Sequence, residues 1–452
     1  MLATPTTQAM PTLIEGATVL LPSASGCGLR SVRADVYLDS GVIAGIDTVP
    51  VGFDVSAAKR IDAHGLMLLP GMVDLCARFG TTASAWHEAV AGGITAFFSP
   101  GKGVIDRYVV SASMPQRAVL GREDISSADS DAGAYAADEM VGRVAGAVAS
   151  GMASLPRAGL VEIDESDVDA PQLRNAMLRA RAAGASLWFR PQDRALAGHG
   201  VMASGTFAVR LGLAGVPAEA ETAPISRIVA LMRDTGASVH LSRLSSAGAV
   251  ALVRDAKAEG LALTCDVSAH HLHLIDVDIG WFDSRFRLDP PLRAAIDRDA
   301  LRRGLADGTI DAICSDHTPH SVRAKAVPFA QAPAGAPGFA YLLALTIKWA
   351  TEDRIPMADA ITRVTSVPAA IVGHQAWGIV IGRSADMLLI DPDDYWDVPD
   401  IRRAGGEARE TRALSPFSGF ELPAPIREVW VAGCPQSEFW DKTCHADTLQ
   451  DL

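Results

Sequence analysis

Six residues that could bind a metal ion, an anion or a proton stand at or just beyond apolar segments of this sequence. They are Cys76, Arg78, Glu165, Arg190, Arg243 and Asp316. A thiolate or a carboxylate can bind zinc, and a carboxylate can also accept a proton in catalysis. A guanidinium group has no free lone pair and stays protonated, so it pairs with carboxylates and other anions. The set leaves open a metal site, a cluster of ion pairs or an anion site.

The elements that must position these residues read as alternating strands and helices. Residues 69–79 form an apolar run entered through Pro70-Gly71, which predicts a buried strand. Seven further strands are predicted at 94–99, 117–120, 160–163, 185–190, 237–244, 261–267 and 310–315. Helices are predicted at 84–91, 134–149, 170–183, 225–235, 247–259 and 298–306. Eight strands alternating with helices predict an α/β fold, a (β/α)8 TIM barrel, in which the chemistry lies at the C-terminal ends of the strands.

Both ends of the chain carry short alternating segments broken by Gly, Asp and Pro. They lie at 17–21, 34–38 and 42–46, and again at 379–390 and 428–433. This pattern favours strands, and together the two ends predict a small β-sandwich beside the barrel. The predicted boundaries are 1–64 for the first part of the β domain, 65–374 for the barrel, and 375–452 for the second part and a tail.

Composition narrows the class of protein. The chain has 452 residues, of which 49% are hydrophobic and 21% charged, as is usual for a globular protein. The net charge of −13 argues against nucleic acid or an anionic membrane as a partner. No run reaches the length of a membrane span, and the N-terminus lacks the pattern of a signal peptide, so a cytoplasmic location is expected. The six cysteines are scattered, which predicts buried thiols and no structural zinc site.

Several segments resemble one family in order along the chain. The resemblance rests on Pro70-Gly71-Met72-Val73-Asp74, Ala91-Gly92-Gly93-Ile94-Thr95, Asp289-Pro290-Pro291-Leu292-Arg293, the segment 308–320 (GTIDAICSDHTPH) and the segment 384–391 (SADMLLID). They are similar to dihydroorotase, a family of the amidohydrolase superfamily. The resemblance implies a barrel with a β-sandwich built from both chain ends.

The resemblance also implies a site of two zinc ions, and this sequence departs from it. The family's four histidine ligands fall on Cys76, Arg78, Arg190 and Arg243, and its bridging carboxylate falls on Glu165, with Asp164 as the alternative. Only Asp316 is unchanged. We expect the three arginines to replace the charge of the metals, to pair with Asp316 and Glu165, and to exclude zinc.

Substrate recognition departs from the family as well. The positions that hold the substrate carboxylate in the family read Gly80 and Gly101 here, while His320 and Asp289 stand as remnants of the pocket. One recognition group is too few for a bidentate carboxylate site. The family's hydrolysis is therefore expected to be lost.

The resemblance leads to one expected function and two alternatives. Inactive dihydroorotase relatives are partners of aspartate carbamoyltransferase, so we expect a structural role with its catalytic subunits in pyrimidine biosynthesis, together with self-association. The first alternative is an active cyclic amidohydrolase with a single metal on Cys76, Asp316 and Glu165. The second is a barrel that binds a small anion among its arginines.

Two other clusters are not expected to form a catalytic or metal site, and the first is predicted to be structural. His270-His271-Leu272-His273 contains His-Xaa-His, but it aligns with a part of the family that does not bind zinc. The serines 242, 245 and 246 lie near His240 without a Gly-Xaa-Ser-Xaa-Gly motif, so a serine hydrolase is unsupported.

Overall fold

The structure is a computed structural model that describes residues 10–23, 27–78, 83–99, 104–111, 114–119, 161–164, 170–374, 377–400 and 413–437. Its strands are β1 (Thr12–Pro22), β2 (Leu29–Asp39), β3 (Val42–Ile46), β4 (Lys59–Asp62), β5 (Met67–Pro70), β6 (Met72–Asp74), β7 (Ile94–Ser99), β8 (Val104–Ser111), β9 (Met114–Val119), β10 (Val161–Asp164), β11 (Ser186–Arg190), β12 (Met202–Ala203), β13 (Gly215–Val216), β14 (Ser238–Leu241), β15 (Leu263–Ser268), β16 (Ala312–Cys314), β17 (Met387–Ile390), β18 (Tyr395–Asp397), β19 (Glu421–Pro423), β20 (Ile426–Val431) and β21 (Cys434–Pro435).

The described α-helices are α1 (Ala83–Ala91), α2 (Ala170–Ala183), α3 (Arg194–Ala197), α4 (Thr206–Leu211), α5 (Glu219–Thr235), α6 (Ala247–Ala258), α7 (Ala295–Ala306), α8 (Val322–Lys325), α9 (Leu342–Asp353), α10 (Met357–Thr362) and α11 (Ser366–Ile371). Short 3-10 helices lie at Ala269–Leu272, Asp276–Ile279, Ser284–Phe286, Phe329–Gln331 and Phe339–Tyr341. Within the part of the chain that the structure describes, no helix is both long and apolar enough to cross a membrane.

An eight-stranded sheet joins the two ends of the chain. Its order is β21-β20-β17-β5-β1-β2-β3, and β4 pairs with β1. Alternate residues of β1 enter different cores: Val19 and Leu21 pack in the core of this sheet, and Leu20 packs in the large core of the barrel. Because successive side chains of a strand point to opposite faces, a strand covered on both sides must be apolar at almost every position. The predicted β domain from both chain ends is therefore formed.

Parallel strands and outer helices make the barrel. β10, β11, β14, β15 and β16 pair in parallel in that order, and β6 pairs in parallel with β7. A parallel bridge between Ala77 and His317 connects the segment after β6 with the segment after β16. In α5 the buried residues Ile225, Ile228, Val229 and Met232 recur at helical spacing, so one face of this helix covers the strands.

The prediction for one barrel strand is wrong, because this strand pairs antiparallel instead of parallel. Residues 117–120 were expected to form a parallel strand, but β9 pairs antiparallel with β8, which in turn pairs antiparallel with β7. The pattern of residues 104–111 was not recognised as a strand, and a strand inserted there reverses the chain direction at the edge of β7. The helix predicted at 134–149 lies outside the described residues.

Other predicted elements differ mainly in length. The strand predicted at 237–244 ends at Leu241, and the one predicted at 310–315 covers only Ala312–Cys314. The helix predicted at 225–235 begins earlier, at Glu219, and contains Pro224. The shorter strands matter for function, since the residues just beyond them turn away from the sheet and form the site.

Candidate functional site

The C-terminal ends of neighbouring parallel strands bring three of the predicted site residues together. β11 ends at Arg190, and its neighbour β14 ends at Leu241, just before Arg243. β16 ends at Cys314, just before Asp316. Because parallel strands end on the same side of the barrel, these side chains share one end of it, as the sequence predicted.

Arg243 and Asp316 form a buried ion pair. Nη1 of Arg243 donates to Oδ1 of Asp316 at 3.0 Å, and the two side chains are 2% and 8% exposed. Both residues have a left-handed backbone, with φ of 59° and 49°. Such a conformation costs a non-glycine residue about 1 kcal/mol or more, and surrounding contacts must hold it. One such contact is the backbone N–H of Arg243, which donates to Oδ1 of Asp266 at 2.8 Å.

Opposing effects act on the Asp316 carboxyl. Burial raises its pKa above the usual value, because the charged form loses its hydration. The charge and hydrogen bond of Arg243, and the charges of Arg78 and Arg190, act in the opposite direction. The guanidinium groups are thus what keeps a carboxylate in this dry position.

Arg190 pairs with a different carboxylate from the one predicted. It was expected to pair with Asp316 or Glu165, but its Nη2 forms a short ion pair with Oδ1 of Asp289. Burial alone would raise the pKa of Asp289, yet Arg190, Arg243 and Arg287 hold it below the usual value. The loop after β15 carries Asp289 to the ends of β11 and β14, and no local pattern in the sequence reveals that approach.

Cys76 and Arg78 flank the pair from the first strand. The thiol of Cys76 is buried, with Sγ 4.0 Å from Oδ1 of Asp316. Arg78 is exposed, and its backbone N–H donates to the carbonyl of His317 at 2.7 Å. It contributes positive charge at the rim of the site. Glu165, Gly80 and Gly101 lie outside the described residues, so the pairing expected for Glu165 stays a prediction.

A second buried carboxylate, that of Asp266, was not identified from the sequence. It holds neighbouring groups of the site in place. Asp266 accepts hydrogen bonds from the backbone N–H of Arg243, from Sγ of Cys314 at 3.2 Å and from Nε2 of His240 at 2.9 Å. A carboxylate inside the apolar strand β15 was the available signal, because buried charges require partners. Nδ1 of His240 lies 2.8 Å from Oγ1 of Thr264. Both ring nitrogens are therefore occupied, which leaves His240 no role as a base for a serine nucleophile.

A third buried carboxylate ties the first strand to the last. Asp74 accepts hydrogen bonds from the backbone N–H and the hydroxyl of Ser315, and burial raises its pKa to about 7. Ser315 immediately precedes Asp316. Asp74 therefore fixes the turn from which Asp316 reaches Arg243.

The histidine cluster is structural, as predicted. His270, His271 and His273 each place Nε2 within 3.2 Å of a backbone carbonyl, those of Pro337, Pro290 and Leu345. Burial lowers their pKa values to about 4, 3 and 4. These rings are neutral packing groups with hydrogen bonds to the backbone. Nε2 of His320, a residue predicted to line the substrate pocket, likewise lies 3.0 Å from the carbonyl oxygen of Ala334.

The described side chains do not fit two zinc ions. At the strand ends, the thiol of Cys76 and the guanidinium group of Arg243 both lie against the carboxylate of Asp316. Among the described residues no three His, Cys, Asp or Glu side chains converge on a point where a metal ion could sit. Guanidinium groups cannot donate lone pairs and repel a divalent cation.

Known proteins resemble this chain along most of its length. No family model matches it. A dihydroorotase of Caldanaerobacter subterraneus subsp. tengcongensis is 32% identical over 415 residues, which cover 89% of this chain and 92% of that protein. Dihydroorotase-like proteins of Pseudomonas putida and Pseudomonas aeruginosa are each 32% identical over 434 residues, covering 93% of this chain and 97% and 98% of theirs.

Solved structures show the same fold at lower identity. A D-hydantoinase from Bacillus sp. AR9 superposes with a TM-score of 0.72 at 18% identity, covering 94% of both chains. A dihydropyrimidinase from Brevibacillus agri NCHU1002 gives a TM-score of 0.68 at 18% identity, covering 94% of this chain and 95% of that one. The predicted fold, a TIM barrel with a β domain, is confirmed. From the strand-end motifs, the architecture and relatives that match about nine-tenths of its length, this chain belongs to the dihydroorotase family of the amidohydrolase superfamily.

Proposed function

We propose that this chain is a dihydroorotase-like protein of pyrimidine biosynthesis that does not hydrolyse dihydroorotate. The observation that carries the proposal is the buried ion pair between Arg243 and Asp316. The resemblance to the family assigns both residues to positions of its metal ligands. Metal-assisted hydrolysis needs open coordination positions and an activated water molecule. A guanidinium group provides neither.

The energetics of the pair support the loss of metal. Arginine stays charged even when buried, so it cannot leave the site by losing a proton. Removing one partner of a buried pair typically costs about 3–5 kcal/mol. A zinc ion would have to displace Arg243 from Asp316 and then sit beside Arg190, which is itself paired with Asp289.

Without hydrolysis, the function of this chain would depend on its folded surface. We propose that the chain acts in the cytoplasm as a structural partner of the aspartate carbamoyltransferase catalytic subunits and self-associates in that assembly. The proposal rests on the resemblance to inactive dihydroorotase relatives that are partners of aspartate carbamoyltransferase. Relatives named dihydroorotase-like protein match the chain over 93% of its length.

Two measurements on the purified protein test the loss of catalysis. Elemental analysis is expected to find zinc far below one ion per chain, and ring opening of dihydroorotate is expected to equal the buffer rate. A variant with histidine at positions 76, 78, 190 and 243 is expected to stay inactive, because Gly80 and Gly101 still lack the substrate contacts. Stoichiometric zinc with turnover by the natural chain would overturn the proposal.

Co-expression with the carbamoyltransferase catalytic subunit of the same cell tests the partnership. A stable complex of defined mass is expected by size-exclusion chromatography with light scattering. A control in which the natural chain is replaced by an active dihydroorotase of another species shows whether association is specific. Separate elution of the two proteins at micromolar concentration would contradict the structural role.

One contact favours a second candidate, a cyclic amidohydrolase with a single metal. Sγ of Cys76 lies 4.0 Å from Oδ1 of Asp316, so both could approach one ion if Arg243 moved aside. In that case Cys76→Ser would lower metal content and any ring-opening activity together. Under the main proposal this variant changes neither.

A further inference from the structure

We propose that the cleft beside the Arg243–Asp316 pair binds a small oxyanion, a carboxylate or phosphate group. The cleft lies between the ends of β11 and β14 and the loop that carries Asp289. Among the residues that line it are Arg190, Gln192, Arg243, Ser245, Pro290 and Arg293. Three arginines thus face one small space, and this binding is independent of any partner protein.

Arg190 supplies a buried donor that has no acceptor in the described part of the chain. Its Nη2 is used by Asp289, but its Nε is buried and makes no hydrogen bond within the described residues. A buried donor left without a partner costs about 1–3 kcal/mol. An oxyanion in the cleft would provide the acceptor.

Arg293 supplies a second set of donors on the facing wall. Its Nε donates to Oγ of Ser245 at 2.9 Å, and the residue is 6% exposed. Its two Nη groups have no protein partner within the described ranges. Arginine presents its N–H groups in a planar fork, which suits two oxygens of one carboxylate or phosphate.

The three carboxylates around the cleft already accept hydrogen bonds from described residues. The carboxylate on its wall, Glu221, accepts hydrogen bonds from the backbone N–H of Ser245 at 2.6 Å and from its hydroxyl at 3.2 Å. Asp289 and Asp316, in turn, are engaged by Arg190 and Arg243.

Repulsion between guanidinium groups acts on Arg190. Burial lowers its pKa, and the neighbouring charge of Arg243 lowers it further, because the two guanidinium groups repel each other at short range. A bound anion would relieve this repulsion and fill the cleft. The site therefore favours a compact anion over a neutral ligand of the same size.

Calorimetric titration and thermal unfolding of the full chain test the proposal. Sodium phosphate and sodium acetate are each compared with sodium chloride at equal ionic strength, which separates a phosphate site from a carboxylate site. At least one of them is expected to bind saturably and to raise the Tm with concentration, because a ligand of the native state stabilises it by mass action. Chloride alone is expected to give no saturable change.

Matched variants locate the site. Arg293→Met and Arg190→Met are expected to weaken binding of the effective anion at least tenfold. Arg233→Met is the control, since Arg233 is paired with Glu259 on the outer surface and is 51% exposed. If Arg190→Met does not fold, the result for Arg293→Met tests the proposal. This variant is expected to fold, because Arg293 belongs to no ion pair within the described residues.

Two outcomes would overturn the anion site. One is stabilisation by phosphate and acetate that only equals that by chloride. The other is binding that survives in Arg293→Met as in the natural chain. Neither outcome bears on association with carbamoyltransferase, which is measured separately.

Discussion

Arginine–carboxylate pairs occur both at the strand ends of the barrel and on its outer helices, and the same chemistry has different consequences in the two places. The Arg243–Asp316 side chains are 2% and 8% exposed, whereas those of Arg233 and Glu259 are 51% and 43% exposed. Water screens the charges of the exposed Arg233–Glu259 pair. It can also solvate either side chain when its partner is absent, at little cost in free energy. The pair at the strand ends is largely shielded from water, so each charge depends on its neighbour. The stability of the buried pair is therefore more sensitive to the loss of one partner than that of the exposed pair.

Asp316→Ala is expected to have the largest effect on stability. It leaves the guanidinium of Arg243 buried without its counter-charge, which should lower the free energy of unfolding by about 3–5 kcal/mol. Urea unfolding followed by tryptophan fluorescence measures the loss. A loss below 1 kcal/mol would mean that Arg243 is solvated or paired elsewhere, and the contrast with the outer surface would fail.

His271→Gln sharpens the contrast between buried charge and buried neutral groups. Burial lowers the pKa of His271 from 6.5 to about 3, so the unfolded chain binds a proton that the folded chain does not between these pH values. Stability from this residue is fully present above pH 6.5 and is lost as the pH falls towards 3. At pH 5 the loss is about 2 kcal/mol relative to pH 7.

The measurement is the free energy of unfolding at pH 7 and pH 5 for the natural chain and His271→Gln. The variant should lose less stability on acidification, because glutamine does not titrate and can donate to the carbonyl of Pro290. Equal losses in both proteins would show that His271 titrates normally in the folded state.

Glu259→Ala is expected to have the smallest effect. It removes the partner of Arg233 on the outer surface, where exposed pairs contribute about 0–1 kcal/mol. Added salt should change its stability no more than that of the natural chain. A loss as large as that of Asp316→Ala would remove the distinction between the two regions.

The sequence allowed part of the site to be predicted. The convergence of Arg190, Arg243 and Asp316 followed from their positions after strands whose apolar patterns are clear, because parallel strands end together. The supporting carboxylates Asp74 and Asp266 were not singled out. An acidic residue inside an apolar strand signals a buried partner, but its identity depends on segments far away in the chain.

The ion-pair partners could not be predicted for a physical reason. Arg190 and Asp289 are separated by 99 positions, and the loop that brings them together has no periodic pattern. The resemblance to the family indicated Asp316 and Glu165 as the partners of the arginines. It supplies expected ligand positions, but it does not show which loops approach the site. Similarly, the antiparallel hairpin of β8 and β9 depends on which edge of the sheet is accessible, and strand propensity does not encode that.

The sequence by itself determined which side chains stand at the strand ends, guanidinium groups among them, because strand periodicity and residue chemistry are local properties. The tertiary structure determined that Arg243 pairs with Asp316 and that Arg190 pairs with Asp289. It also determined that the cleft beside these pairs contains a donor with no acceptor among the described residues. Pairing among several buried charges depends on distances and desolvation in three dimensions, and these are set only when distant segments pack together.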